Sequence, residues 1–465
     1  MADTLIAPAT TVDPPGPRGW KLFASLLDVR RDRISFVESA AAKYGDFVAF
    51  RMGPKRLFLL RGPDQFRHVL VEHPERYAKG PGLDEARPFL GQGLLTAEGC
   101  QWRDDRAKLE GAMHNRNLDR YAVIIDELTL EVLDRIGERA RQGKAIEVSS
   151  EMACLTLRIV GRALFGWDFG NQAAAEIAAD LHTLNHWAME QMTGLVALPL
   201  WSRPKANAAL RRLRRQADEI LARIRRGESA SGACEAMGQM LASGQAARAR
   251  DHVITFLLAG HETTALTLSW AIALLARNPE AAAGVRREAG NQQIGRRTWA
   301  GVQSLEFTRQ VVEETLRLYP PVWLLPRKTI ENDRLGAYEI PAGSGVLLCV
   351  YLLQRHPAYW KQPLEFRPER FSRQEAGTKP AGCYLPFGLG SRACIGSRFG
   401  LMESMLILSA LASRFRWEAD WAGELRPDGS LSLRPSGGAP VRFFDAPRRT
   451  ADVHGQTASA SQIGD

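Results

Sequence analysis

The sequence has no C-x-x-C pair and no close pairing of cysteines: its six, Cys100, Cys154, Cys234, Cys349, Cys383 and Cys394, are scattered over 465 residues. That dispersal excludes a disulfide-stapled scaffold or a zinc finger and reads as reduced thiols in a cytoplasmic protein. Met1 to Val12 carry neither a basic n-region nor an apolar h-region, so no secretory signal is expected. No apolar run is both long and clean enough to span a bilayer. Thr255 to Ala276 contains His261 and Glu262, and Leu401 to Leu411 is too short, so both are expected as buried core helices. There is no internal repeat and no linker that would cut the chain into independent domains.

What remains is the composition of a globular protein, 45% apolar and 24% charged, with 41 Gly and 25 Pro. Lys and Arg outnumber Asp and Glu by 61 to 52, a net +9, which by itself suits nucleic acid, an anionic membrane or an acidic protein partner. Pro14-Pro15-Gly16-Pro17 is a stiff, non-helical segment. Phe47 to Arg51 and Arg56 to Arg61, joined by Met52-Gly53-Pro54-Lys55, read as a β-hairpin. From Pro63 to Ala276 apolar residues recur at helical spacing over most of the length. Beyond Pro320 the pattern changes to short β-like pieces, Val346 to Val350, Leu431 to Leu433 and Val441 to Phe444, with one more helix. The fold class is therefore mainly α with a smaller β region, α+β. Residues 1–13 and 448–465 are expected as disordered tails around a single domain over 14–447.

Three segments have two readings each. Arg211, Arg212, Arg214, Arg215, Arg223, Arg225 and Arg226 alternate with Leu213, Ile220, Leu221 and Ile224, the pattern of an amphipathic helix with a solvated basic face rather than a nucleic-acid site. The apolar loop Leu195 to Trp201 is either a buried connector or a lip at a ligand opening. Gly227 to Ala247, rich in Gly, Ala and Ser and poor in large apolar residues, is expected to be either mobile or weakly packed.

The chemistry concentrates in Phe387-Gly388-Leu389-Gly390-Ser391-Arg392-Ala393-Cys394-Ile395-Gly396, which runs directly into an apolar-periodic helix. The glycines permit a tight turn and close backbone approach to a flat object. A cysteine at a helix mouth is expected to have its pKa lowered by the helix N-terminus, and Arg392 supplies a cation beside it. A thiolate held this way suits the axial position of haem iron. Gly388-x-Gly390-x-x-Ala393 also matches a relaxed dinucleotide fingerprint, but no buried strand and no βα unit frame it, which disfavours an NAD(P)-dependent dehydrogenase. Ala259-Gly260-His261-Glu262-Thr263-Thr264 sets an acid beside an alcohol midway along an apolar helix, where polar groups are costly unless satisfied or functional. Glu262 and Thr263 suit proton delivery; a hydroxyl bonded back to its own helix is the structural alternative. His182-x-x-x-His186-x-x-x-Glu190 has metal-compatible spacing but no third ligand set, and reads as solvated or pocket-facing side chains.

The loop resembles the haem-binding segment of the cytochrome P-450 superfamily, F-x-x-G-x-R-x-C-x-G, matched by Phe387, Gly390, Arg392, Cys394 and Gly396. The resemblance extends to the central-helix motif with Glu262 and Thr263. Glu314-Thr315-Leu316-Arg317 by itself places opposite charges at i, i+3 on one helix face, usually a weak surface pair; the resemblance extends to it together with Pro368-Glu369-Arg370-Phe371 and implies instead a buried structural clamp of Glu314, Arg317 and Arg370. Trp102-x-x-x-Arg106 and Arg327 are implied as haem propionate partners. Gln354-Arg355-His356-Pro357 departs from the family's usual His-Arg-Asp-Pro, which puts a haem contact from that turn in question.

The resemblance implies a triangular, helix-rich fold enclosing one haem b (iron protoporphyrin IX), bound by Trp102, Arg106, Arg327, Phe387, Gly388, Arg392, Cys394 and Gly396, with Cys394 as the iron ligand. It implies a monooxygenase that uses O2 to hydroxylate a hydrophobic small molecule of natural-product or lipid metabolism, with coupling, epoxidation or desaturation open on the same site. Phe89, Leu90, Phe256, Ala259, Val322, Trp323 and Leu324 are expected to line the substrate pocket. No fused flavin or iron–sulfur module is apparent, so electrons are expected from a separate ferredoxin or flavodoxin with its reductase. The +9 charge would steer such an acidic donor without any role in nucleic-acid binding. A monomer without a membrane span is expected.

Overall fold

In the computed structural model, which describes residues 14–17, 29, 31–52, 55–193, 200–229, 231–290, 298–375 and 381–446, the helical periodicity becomes a set of long helices. In chain order the main ones are α1 (Arg33–Tyr44), α2 (Gly99–Glu110), α3 (Leu118–Arg141), α4 (Val148–Phe165), α5 (Gly170–Thr193), α6 (Pro204–Arg225), α7 (Gly232–Ala242), α8 (Ala246–Arg277), α9 (Glu306–Leu318) and α10 (Ser397–Arg414). The predicted tails and most of the Leu195 to Trp201 loop lie outside the described residues.

The arginine run forms the outer face of α6. Leu210, Leu213, Ala217, Ile220, Leu221 and Ile224 are buried along its inner stripe, while Arg211, Arg214, Arg215 and Arg225 are exposed, as an amphipathic helix requires. Several of its cations are already engaged: Arg212 pairs with Asp180, and Arg223 lies 3.3 Å over the Trp167 ring.

The expectation of weak packing over Gly227 to Ala247 is corrected. The segment contains α7, whose first turn is capped by the Ser231 hydroxyl accepting Cys234 N–H at 3.4 Å, and whose Ala233, Cys234, Ala236, Met237 and Met240 are buried. Small residues serve close approach here: a Cβ on Gly232 would stand 3.1 Å from Ala112 Cα.

A five-stranded sheet flanks the helices, made of β1 (Phe47–Met52), β2 (Lys55–Leu60), β3 (Tyr77–Lys79), β4 (Leu324–Thr329) and β5 (Gly345–Cys349) in the order β1-β2-β5-β4-β3. β1 and β2 pair as the predicted hairpin, Phe47 opposite Leu60; Gly53 and Pro54 at its turn are outside the described residues. The β2–β5 contact is parallel and the others antiparallel. Near the C-terminus β6 (Phe415–Ala419) pairs with β9 (Pro440–Asp445), and β7 (Pro427–Gly429) with β8 (Leu433–Pro435). The strand expected at Leu431 to Leu433 thus starts only at Leu433, because Leu431 and Ser432 form the bend that turns one strand of the hairpin into the next. The class is helix-rich α+β, and no helix among the described residues is long and apolar enough to cross a membrane.

The core gathers on α8. Gly260 marks where α4 crosses it closely, since a Cβ there would meet Val160 Cγ2 at 2.6 Å. Thr156 of α4 donates its hydroxyl to the His261 carbonyl at 3.0 Å, tying the two helices at the same level. Between α8, α2, the sheet and the loop before α10 lies a cavity of about 500 Å³.

Candidate active site

The loop before α10 is shaped by its glycines. Gly388 and Gly390 take φ of 73° and 72°, and a Cβ on Gly390 would lie 2.0 Å from the Leu70 carbonyl oxygen, so only glycine lets this loop seat on the turn His68–Glu72. Gly396 has an ordinary φ of −92° at the start of α10; a Cβ there would stand 3.9 Å from Cys394 Sγ. The Cys394 amide donates to Phe387 O at 2.9 Å, and its thiol lines the cavity.

The expected lowering of the Cys394 pKa is corrected. Burial pushes the thiol up, and only the Gly396 backbone N–H and the Arg106 charge pull the other way. The physical reason is position: α10 begins at Ser397, so Cys394 stands three residues outside it and meets one backbone amide rather than the helix terminus. Coordination of the thiol by a metal would favour its deprotonated form. The other cysteines lack this setting. Burial raises Cys349 to about 12 and Cys383 to about 11, which keeps both as inert thiols.

Cations converge on the opposite side of the loop. Trp102 on α2 is buried, with the Arg106 guanidinium 5.6 Å and the Arg392 guanidinium 4.8 Å from its ring centre. Arg106 Nη1 donates to Ala393 O at 2.9 Å. Arg392 pairs with Glu98 through Nη2, while its buried Nη1 has no partner. Arg327 on β4 stands opposite Lys79 on β3 in the sheet register. Burial, then the Arg392 charge, draws Arg327 down to about 10. Burial and the charges of Arg392 and Arg327 draw Lys79 down to about 6, although its Nζ donates to Leu94 O at 2.7 Å.

Lys79, Arg327 and Arg392 thus share Glu98 as their nearby counter-charge, with Arg106 held beside the loop on Ala393 O. An orphaned guanidinium N–H and two strained cations are what a dicarboxylate relieves, so the residues fit the two propionates of a haem. Lys79 was not recognisable as part of this cradle from sequence. Its one signal is a basic residue at an inward position of a short strand.

All seven residues expected in the substrate wall, Phe89, Leu90, Phe256, Ala259, Val322, Trp323 and Leu324, line the cavity. Trp323 is oriented by Nε1 donating to Ser430 O at 2.8 Å. The Thr263 hydroxyl donates to Ala259 O at 2.7 Å, one turn back along α8. Glu262 is held by three donors: Ser432 Oγ at 2.6 Å and Arg434 Nη2 at 2.8 Å on Oε1, and Asn185 Nδ2 at 2.7 Å on Oε2. These three partners come from α5 and from the bend and strand of the C-terminal hairpin, and sequence reasoning missed them all. Also missed was Glu403 on α10, a wholly buried carboxyl that burial raises well above the usual carboxylate range and whose two oxygens have no hydrogen-bond partner among the described residues.

Beneath the site, Glu314 of α9 takes Arg317 bidentately, Nε at 2.7 Å and Nη2 at 2.8 Å, and Arg370 Nε at 3.2 Å. Gln354, where the sequence departs from the expected histidine, joins this layer to the loop: Nε2 donates to Leu316 O at 2.9 Å, and Oε1 accepts Leu385 N–H at 2.8 Å. The His182, His186 and Glu190 set does not converge. His182 Nδ1 meets Arg434 Nη1 at 2.8 Å, and His186 lies 3.6 Å from Glu190.

The family model for cytochrome P450 matches residues 14–439 of the chain. Among similar curated proteins, cyclooctatin synthase of Streptomyces melanosporofaciens is 36% identical over 448 residues, 93% of this chain and 95% of that protein. Cyclooctat-9-en-7-ol 5-monooxygenase of the same organism is 31% identical over 433 residues, 88% of this chain and 92% of that protein. Protein LUTEIN DEFICIENT 5, chloroplastic, of Arabidopsis thaliana is 29% identical over 405 residues, 81% of this chain and 68% of that protein.

Proposed function

The chain belongs to the cytochrome P450 family and is a monooxygenase of it, and from that premise we propose that it hydroxylates a cyclic terpenoid in bacterial natural-product metabolism. The family implies a haem-thiolate iron cofactor, O2, a substrate and a redox partner. The observation that carries the reading is the Cys394 thiol lining an apolar cavity, in a glycine-shaped loop whose flank holds cations in excess of carboxylates. The terpenoid class is favoured by a wall of Phe89, Leu90, Phe256, Val322, Trp323 and Leu324, and by two relatives named for cyclooctatin and cyclooctat-9-en-7-ol.

In this reading the group is haem b. Cys394 is its iron ligand, Phe387, Gly388 and Gly396 frame that ligand, and Trp102, Arg106, Arg327, Arg392 and Lys79 hold the propionates. When bound, the haem supplies the two-electron activation of dioxygen, and the protein binds, orients and admits protons. Thr263 holds its proton on Oγ1 against Ala259 O; release of that bond turns the hydroxyl toward the cavity. Glu262, held at the cavity wall by Asn185, Ser432 and Arg434, is the acid that resupplies it. Electrons come from a separate ferredoxin or flavodoxin, attracted by the net +9 charge, to a monomeric protein. Six unpaired cysteines suit the cytoplasm.

The test is the optical spectrum of the reduced, carbon-monoxide-bound protein. A strongly red-shifted Soret band that disappears in Cys394→Ala supports the thiolate ligand. A folded, haem-loaded wild type without that band refutes it. Cyclic terpene alcohols are then expected to shift the iron spin state where linear fatty acids do not.

A further inference from the structure

A second cluster of metal-ligating side chains stands apart from the cavity, on the turn His68–Glu72 and the residue after it. One ligand atom from each of His68, Glu72 and His73 lies within 4.8 Å of the other two. The turn is π-helical, closed by His73 N–H donating to His68 O at 2.9 Å. That geometry is what gathers the ligands: an i→i+5 turn brings residues five apart onto one face, and the two imidazole rings stand 4.5 Å apart between centres.

The first histidine is held by a buried carboxylate. Asp333 Oδ2 meets His68 Nε2 at 2.9 Å, and Asp333 is itself held by Arg76 Nη1 at 2.8 Å, the Arg334 amide at 2.8 Å and the Tyr77 hydroxyl. With four donors on it, this carboxylate fixes the His68 ring with its proton on Nε2 and leaves the Nδ1 lone pair free. A carboxylate behind an imidazole is the usual outer partner of a metal-bound histidine. Arg67 takes Glu72 Oε1 at 2.7 Å and leaves Oε2 unclaimed. Glu75 Oε1 lies 3.7 Å from His73 Nδ1, within reach to orient the second ring.

We propose that His68, Glu72 and His73 bind one divalent metal ion of the zinc class, with Asp333 positioning His68. Two imidazoles and one carboxylate leave a tetrahedral ion one open position for water. The site bears on the haem loop without belonging to it. Leu70, in the same turn, presents the carbonyl on which Gly390 rests, so an ion bridging residues 68 and 73 stiffens the support of the thiolate loop.

The test is a titration of zinc chloride into the haem-loaded full-length protein, in competition with a chromogenic chelator. One tightly bound equivalent is expected, weakened at least tenfold in His73→Ala and in Glu72→Gln. Both residues are partly exposed, so these variants should fold, and the reduced carbonyl spectrum checks that they do. Asp333→Asn is expected to weaken binding tenfold to a hundredfold. His186→Ala, which alters the other histidine pair, is expected to leave it unchanged. No tight equivalent, an equivalent that survives both His73→Ala and Glu72→Gln, or one lost in His186→Ala overturns the proposal.

Discussion

Removing the Glu314 carboxylate is the sharpest test of what holds the loop side of the molecule together. Glu314 accepts Arg317 Nε and Nη2 at 2.7 and 2.8 Å, Arg370 Nε at 3.2 Å and the Arg367 amide at 2.9 Å. Glu314 and Arg317 are wholly buried and Arg370 nearly so. Glu314→Ala leaves two guanidinium groups in the core without this counter-charge. Their remaining bonds run to neutral carbonyls, among them Gln354 O and Pro363 O, both at 2.8 Å from Arg317 Nη1. Removing one partner of a buried pair costs about 3–5 kcal/mol. That is a large fraction of the roughly 5–15 kcal/mol that a folded domain commands. The assay is urea unfolding followed by tryptophan fluorescence and by the Soret band, with the exposed Arg373–Glu306 pair at 3.3 Å as the internal standard. Arg373→Ala should cost about 1 kcal/mol or less, since a solvated pair is weak. Equal midpoints for Glu314→Ala and Arg373→Ala would refute the clamp.

Two further outcomes follow from the cavity. Thr263→Ala removes the hydroxyl on α8 and should divert reducing equivalents into peroxide, lowering product formed per electron pair by about tenfold or more; unchanged coupling, read by peroxide and product assays together, removes Thr263 from proton delivery. Lys79 ionises near 6 when folded against 10.5 for an ordinary lysine. Between those values the unfolded chain binds the extra proton, so the stability of the haem-free protein should rise with pH by up to about 1.4 kcal/mol per unit. Lys79→Met should flatten that rise, measured by urea midpoints from pH 6 to 8, and an equal slope in the variant would show that the lysine is not the group responsible.

What could be read from the sequence, and what could not, divides by the range of the interactions. The hairpin of β1 and β2, the amphipathic α6 and the glycines at 388 and 390 depend on neighbours within a few residues, so periodicity and spacing exposed them, whereas the burial of the Glu314-x-x-Arg317 pair was implied only by the family resemblance. The cavity wall followed from the family resemblance rather than from local pattern, since Phe89 and Leu90 lie well before Trp102 with no motif beside them. Glu262 shows the opposite case. Its carboxylate was recognisable, but the residues that hold it, Asn185, Ser432 and Arg434, are 77, 170 and 172 positions away and have no signature of their own. The same limit explains the correction in α7, while that at Cys394 turns on a local boundary, the start of α10 at Ser397. Small residues in α7 looked like poor packing until Gly232 was seen against Ala112, and Cys394 looked acidic until its distance from the start of α10 removed the helix terminus as a partner. Lys79 is the clearest instance: nothing in Tyr77-Ala78-Lys79 marks a cofactor contact. In the proposed site it serves as one because antiparallel pairing of β3 with β4 sets it opposite Arg327, where two cations share one buried edge and an added dicarboxylate would be favoured.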